Sequence, residues 1–243
     1  MRLVLPRLYV ILDAALLKTP EIECAKSLVD AGVCLVQYRN KRATARELFE
    51  SSRELAGFFK PHKVRFIVND RADVAALADA DGVHVGQDDL GVGEARAVIG
   101  AGKWVGVSTH NEGQLVEATG SSADYVAVGP VFATGSKMNP DPVVGVELVR
   151  RARAMTEKPI VAIGGITLER AAEVIKAGAD SVAVISDILR AEDVGRRARE
   201  FVELLERGNI SENSKKISET SEKLGQASEK LASEKLNDAG RSR

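Results

Sequence analysis

Several short polar clusters in this chain have the composition of a site for phosphorylated molecules. Gln37-Tyr38-Arg39-Asn40-Lys41 sets a planar guanidinium beside a mobile ammonium, a pair able to hold a diphosphate. Alone it reads equally well as a basic loop in water. Asn69-Asp70 and Gly86-Gln87-Asp88-Asp89 supply carboxylates. Magnesium takes one or two carboxylates together with phosphate oxygens and water, which suits Asp70 and Asp89, with Asp88 as the substitute. Asp70 and Asp88 would serve as well to cap the helices that follow. Ser108-Thr109-His110 offers a hydroxyl and an imidazole, and Thr109 with Glu112 has the spacing of a capping box.

Gly129 to Lys137 carries Thr134, Ser136 and Lys137 on a loop long enough to act as a lid, without the spacing of a nucleotide-triphosphate loop. Ile163-Gly164-Gly165-Ile166 and Val184-Ile185-Ser186 complete the set, because glycine lets a backbone approach an anion closely. His110 is the histidine nearest this set. His62 and His84 are given no role, His84 being read as a packed or hydrogen-bonded residue inside a strand.

Each cluster follows a short Val/Ile-rich run. The runs are Leu8 to Leu12, Leu35 to Arg39, Arg65 to Asn69, Gly82 to Gly86, Trp104 to Ser108, Tyr125 to Gly129, Ile160 to Gly164 and Ser181 to Ile185. Helical patterns lie between them. Thr19-Pro20-Glu21 and the capping box Thr44 to Glu47 read as starts; Ala31-Gly32, Ala101-Gly102 and Ala177-Gly178 read as stops. Uninterrupted strand-helix alternation predicts an α/β fold, a single-domain (β/α)8 TIM barrel over 1–208, whose site lies at the carboxyl ends of the strands. From 209 to 243 the chain turns rich in Ser, Glu and Lys, with Ser-Glu-Lys-Leu at Ser221, Ser228 and Ser233. This predicts a low-complexity tail, disordered or partly helical.

Composition narrows the function. Basic and acidic residues number 34 and 35, so no broad field attracts nucleic acid or an anionic membrane. No apolar run approaches the roughly 20 residues that cross a bilayer, and a cytoplasmic location is expected. Aromatics are only 4% of the chain against 44% hydrophobic residues, which suits aliphatic strands buried on both faces. Cys24 and Cys34 are expected to be reduced packing residues. Nothing in the composition argues against a homo-oligomer.

In order and spacing, Gln37-x-Arg39-x-Lys41, Asn69-Asp70, Gly86-Gln87-Asp88-Asp89, Gly106-Val107-Ser108, Gly129-Pro130 through Lys137 and Ile163-Gly164-Gly165-Ile166 resemble the thiamine phosphate synthase family. The resemblance covers the barrel and not the tail. It implies a transferase that joins a hydroxymethylpyrimidine diphosphate to a thiazole phosphate, or its carboxylated precursor, and releases pyrophosphate. It further implies that Gln37, Arg39, Lys41, Asn69, Ser108 and Lys137 hold the pyrimidine diphosphate, with Arg39, Lys41, Ser108 and Lys137 acting in catalysis. Asp70 and Asp89 would bind one Mg2+ per site, and Thr134, Ser136, Gly165, Ile185 and Ser186 would meet the thiazole phosphate. Ser136 stands where the family more often has threonine, and the tail has no counterpart. The alternatives are a thiazole tautomerase of the same fold, which has no use for Lys41, Asn69, Asp70, Asp89 and Lys137, and a non-catalytic phosphate-binding barrel whose tail recruits a partner.

Overall fold

The computed structural model describes residues 3–135 and 141–207. The chain divides into two units, Met1–Leu205 and Glu206–Arg243. Of the second only 206 and 207 are described, so the expected tail over 209–243 lies outside the described residues.

The first unit is a closed barrel of eight parallel strands in sequential order. They are β1 (Leu8–Asp13), β2 (Leu35–Arg39), β3 (Arg65–Asn69), β4 (Gly82–Val85), β5 (Trp104–Thr109), β6 (Tyr125–Val128), β7 (Ile160–Ala162) and β8 (Ser181–Val184). Pairing of Tyr9 with Ala183 joins β8 back to β1. Around them run α1 (Glu21–Asp30), α2 (Ala45–Phe59), α3 (Ala72–Leu77), α4 (Val92–Ile99), α5 (Glu112–Gly120), α6 (Gly145–Met155), α7 (Leu168–Lys176) and the short α8 (Ser186–Leu189). A last helix begins at 194 and buries Ala198, Phe201 and Leu205.

Alternation along each strand divides the apolar residues into two cores. Val10, Leu12, Val36, Val68, Val83 and Val126 face the helices and join the larger core. Their neighbours Tyr9, Leu35, Ile67, Tyr125, Val161 and Ala183 fill the barrel itself. The same parity turns Gln37, Arg39, Asn69, His84 and Ser108 inward, so the inward residues change from apolar to polar towards the carboxyl ends.

The opposite end is strapped by one repeated device. Asp81, Asp124 and Asp180 stand immediately before β4, β6 and β8. Each donates its backbone N–H to the carbonyl of a residue on the preceding strand, Phe66, Val105 or Ile160, at 2.8 Å in every case. Each carboxylate then accepts the N–H of that same residue, at 2.9, 2.7 and 2.8 Å respectively. Arg65, Arg96 and Arg153 close the three clamps as ion pairs. A charged acceptor on a backbone N–H contributes about 1.5–3 kcal/mol, so the three together weigh heavily in a fold of ordinary stability.

Most expected boundaries hold within one or two residues. Thr44 caps α2 in a complete capping box with Glu47, and Gly32 and Gly178 close their helices at φ 85° and 113°. Four expectations are corrected. Helix α4 is closed by Gly100, at φ 87°, and not by Gly102, because the helix ends at Ile99. Thr109 does not cap α5: it lies within β5 with its hydroxyl donating to the Ala127 carbonyl at 2.9 Å, while Asn111 accepts the Gln114 N–H. Pro20 occupies the cap position of α1 without a side-chain bond, so Thr19 does not serve there. Cys24 is buried as expected, but Cys34 is exposed, since it precedes the strand on the solvent side.

Candidate active site

The carboxyl ends of the strands surround one cavity. Gln37, Arg39, Asn69 and Ser108 line one side of it. Thr134, Gly165, Ile185 and Ser186 line the other. Lys41, Asp70 and Asp89 lie on the strand-end loops beside the first group, and Ser136 and Lys137 fall outside the described residues.

Arg39 ends β2 directly beside Asp13, which ends β1. The two form an ion pair in which the carboxylate is almost fully buried and the guanidinium keeps 17% of its surface. Asp13 Oδ1 also accepts the Ala15 N–H at 3.0 Å, so the carboxylate is fixed before it orients the arginine. Sequence reading missed Asp13. Its signal was available: an acidic residue at the end of the first strand, of the parity that faces inward.

Lys41 pairs with Asp70 at the mouth. Asp70 holds φ at 64°, a left-handed conformation uncommon for residues other than glycine and enriched in Asp and Asn. Its N–H donates to the His84 carbonyl at 2.7 Å, which ties this turn to β4. Burial pushes the Asp70 carboxyl above its usual range; Lys41 opposes that shift and the adjacent Asp89 carboxylate adds to it. Asp89 is oriented by the Gly86 N–H, 2.7 Å from Oδ2. Neither expected aspartate cap exists, since Arg71 and Gly91 occupy the cap positions of α3 and α4. Asp88 is exposed. Two carboxylates held together against their mutual repulsion are the oxygen donors a hard divalent cation accepts, with phosphate and water completing the shell.

On the opposite side the backbone replaces charged side chains. Gly164 and Gly165 have φ of 89° and 64°, and a Cβ on Gly165 would lie 2.4 Å from the Ala133 carbonyl oxygen. The turn therefore requires glycine and presents bare backbone to the cavity. Helix α8 opens here with Ser186, anchored by Asp187, which accepts from Arg197 Nε at 3.0 Å and from the Leu168 N–H at 3.3 Å.

Two histidines also line the cavity. His110 places Nδ1 2.5 Å from the Gly129 carbonyl and Nε2 3.4 Å from Asp141 Oδ2. His84, read as a hydrogen-bonded strand residue, is one, but it also reaches the cavity floor, where Nε2 lies 2.9 Å from Ser108 Oγ.

The family model described as thiamine monophosphate synthase matches residues 8–188. The chain belongs to this family. The thiamine-phosphate synthase of Koribacter versatilis is 52% identical over 206 residues, covering 83% of this chain and 96% of the relative. That of Chloroflexus aurantiacus is 44% identical over 200 residues, covering 82% and 92%. Among solved structures, the thiamine phosphate pyrophosphorylase of Pyrococcus furiosus superposes with a TM-score of 0.77 at 35% identity, covering 84% of this chain and 96% of that one. The matched region includes every strand and the whole cavity. No helix among the described residues is long and apolar enough to cross a membrane.

Proposed function

We infer that this chain is a thiamine phosphate synthase: a transferase that condenses 4-amino-2-methyl-5-hydroxymethylpyrimidine diphosphate with 4-methyl-5-(2-hydroxyethyl)thiazole phosphate, or its carboxylated precursor, to thiamine phosphate and pyrophosphate. Family membership fixes the reaction class. The observation that carries the reading is a cavity lined by Arg39, Asn69 and Ser108 on one side, with the Lys41–Asp70 pair on the loops beside them, and by a glycine turn with hydroxyls on the other. Two phosphorylated substrates can therefore meet with their reacting carbons and nitrogen between them.

In this reading Gln37, Asn69 and Ser108 receive the pyrimidine, while Arg39, Lys41 and Lys137 receive its diphosphate. Asp70 and Asp89 would hold one Mg2+, which when bound supplies positive charge to the departing pyrophosphate. The thiazole phosphate would sit against Thr134, Ser136, Gly165, Ile185 and Ser186. The methylene carbon–oxygen bond breaks and its electron pair leaves with the pyrophosphate. Positive charge left on the methylene spreads into the amino-substituted ring, and the thiazole nitrogen lone pair forms the new carbon–nitrogen bond. No general base is required. The residues act by holding two partners in line and by neutralising charge on the leaving group, effects that account for several kcal/mol of barrier in such reactions. Lys41 is free to leave Asp70 once phosphate arrives, since more than half of its side chain is exposed.

We assign the reaction to the cytoplasm, in keeping with two free thiols. The test is phosphorus NMR of the full chain with both substrates and Mg2+. Growth of a pyrophosphate signal that requires both substrates supports the synthase. Conversion of the thiazole phosphate alone, with neither pyrimidine diphosphate nor Mg2+ required, would replace it with the tautomerase.

A further inference from the structure

Beneath the cavity five polar side chains form one continuous chain. Gln37 Nε2 donates to the Tyr9 hydroxyl at 2.7 Å, and that hydroxyl lies 3.0 Å from the hydroxyl of Tyr125. Tyr125 Oη is 3.1 Å from His84 Nδ1, and His84 Nε2 is 2.9 Å from Ser108 Oγ. All five residues are buried. The Tyr125 ring stacks on the imidazole, with centroids 5.6 Å apart and planes 24° from parallel. Gly106 makes room for that ring, because a Cβ there would lie 2.0 Å from Tyr125 Cζ.

A hydroxyl has one proton to give, and a neutral imidazole has one donor and one acceptor nitrogen. With Gln37 donating at one end and every buried proton requiring an acceptor, the order that satisfies each link runs one way. Tyr9, accepting from Gln37, passes its own proton to Tyr125. Tyr125 passes its proton to His84 Nδ1, which leaves the ring proton on Nε2, pointed at Ser108. Ser108 Oγ accepts it and turns its hydroxyl proton elsewhere, and the side chain lines the cavity. Burial raises the pKa of both tyrosines, so neither link is lost to ionisation. Arg39 ends β2 and Lys41 and Asp70 lie on the loops beyond the strands, whereas Ile11, Ile163 and Ala183 add apolar lining to the same cavity. Apolar walls beneath the strand-end charges favour a ring over a phosphate at the buried Ser108 hydroxyl.

We propose that Gln37, Tyr9, Tyr125 and His84 are a one-way hydrogen-bond relay that makes Ser108 a fixed donor, so that the floor selects a heteroaromatic ring presenting a lone-pair nitrogen. The proposal rests on the reading of this cavity as the pyrimidine site and adds the direction of its recognition. Tyr9, Tyr125 and His84 are positioning residues, acting through Ser108. A ring with a donor at that place would face a donor, and an unmatched buried polar group costs roughly ten- to a hundredfold in selectivity.

The direction is read by nitrogen-15 NMR of the histidine-labelled full chain, with His84 assigned by loss of its signals in His84→Gln. The relay requires wild-type His84 protonated on Nε2. Tyr125→Phe should release that preference and lower kcat/KM by about tenfold. A wild-type His84 protonated on Nδ1 overturns the relay, even if the chain turns over, since the order would then run from Ser108 towards Gln37. An unchanged tautomer and unchanged kinetics in folded Tyr125→Phe overturn it as well; if that variant does not fold, the wild-type spectrum decides alone. An inactive wild type with His84 protonated on Nε2 would instead refute the functional reading, and with it the ring selectivity.

Discussion

Removal of Asp13 should injure stability and binding together, because this residue fixes Arg39. Its side chain is only 4% exposed, and it makes both the ion pair and the bond to the Ala15 N–H. Deleting one partner of a fully buried pair costs about 3–5 kcal/mol, since the other charge is left uncompensated. Arg39 is 17% exposed towards the cavity and can regain some water, which lowers the expected loss for Asp13→Ala to about 2–4 kcal/mol. Asp13→Asn keeps an oxygen for Ala15 and removes the charge, so about 1–2 kcal/mol is expected. Urea unfolding with the slope held unchanged measures both. The arginine, no longer aimed, should raise KM for the pyrimidine diphosphate, with kcat/KM falling by up to about a hundredfold. Stability of Asp13→Ala within about 0.5 kcal/mol of wild type, or unaltered kinetics, would refute the claim that Asp13 orients the site.

Four further outcomes follow from the same geometry. Asp124→Ala should cost about 2–3 kcal/mol in urea, with comparable losses for Asp81→Ala and Asp180→Ala, because the three make the same bonds; a loss at only one would break the equivalence. Burial and the neighbouring Asp89 raise the Asp70 pKa, so the folded state binds a proton more tightly than the unfolded chain and stability falls as pH rises above the ordinary carboxylate range. Asp70→Asn should therefore raise Tm at neutral pH without metal, flatten that pH dependence and abolish turnover; asparagine also tolerates the left-handed backbone at this position. Asp89→Ala should lower turnover far more than stability, and equal loss of both would contradict its assignment to the metal. Gly106→Ala should destabilise by about 1–3 kcal/mol by displacing Tyr125, measured by thermal unfolding.

Much of this was legible in the sequence because the barrel repeats a simple rule. Buried parallel strands read as aliphatic runs, and residues at their carboxyl ends reach the mouth, so Gln37, Arg39 and Asn69 could be placed from their positions at strand ends. What escaped depended on contacts between strands distant in sequence. Asp13 gained meaning only when register put it against Arg39, and His84 only when Tyr125, 41 residues away, came within hydrogen-bond reach. The capping errors have a local cause: Thr109 and Asn111 can both cap, and the extra length of β5 gave the role to the second. The carboxylates of Asp70 and Asp88 looked like helix caps for the same reason, until α3 and α4 were seen to begin beyond them.

The most direct measurement is single-pot turnover by the purified full chain, with thiamine phosphate quantified by mass spectrometry and pyrophosphate by enzymatic assay, each with and without Mg2+. The account predicts equal amounts of both products, dependent on both substrates and on the metal. Folded protein that forms neither product, or forms thiamine phosphate undiminished without Mg2+, would contradict respectively the reaction and the role given to Asp70 and Asp89.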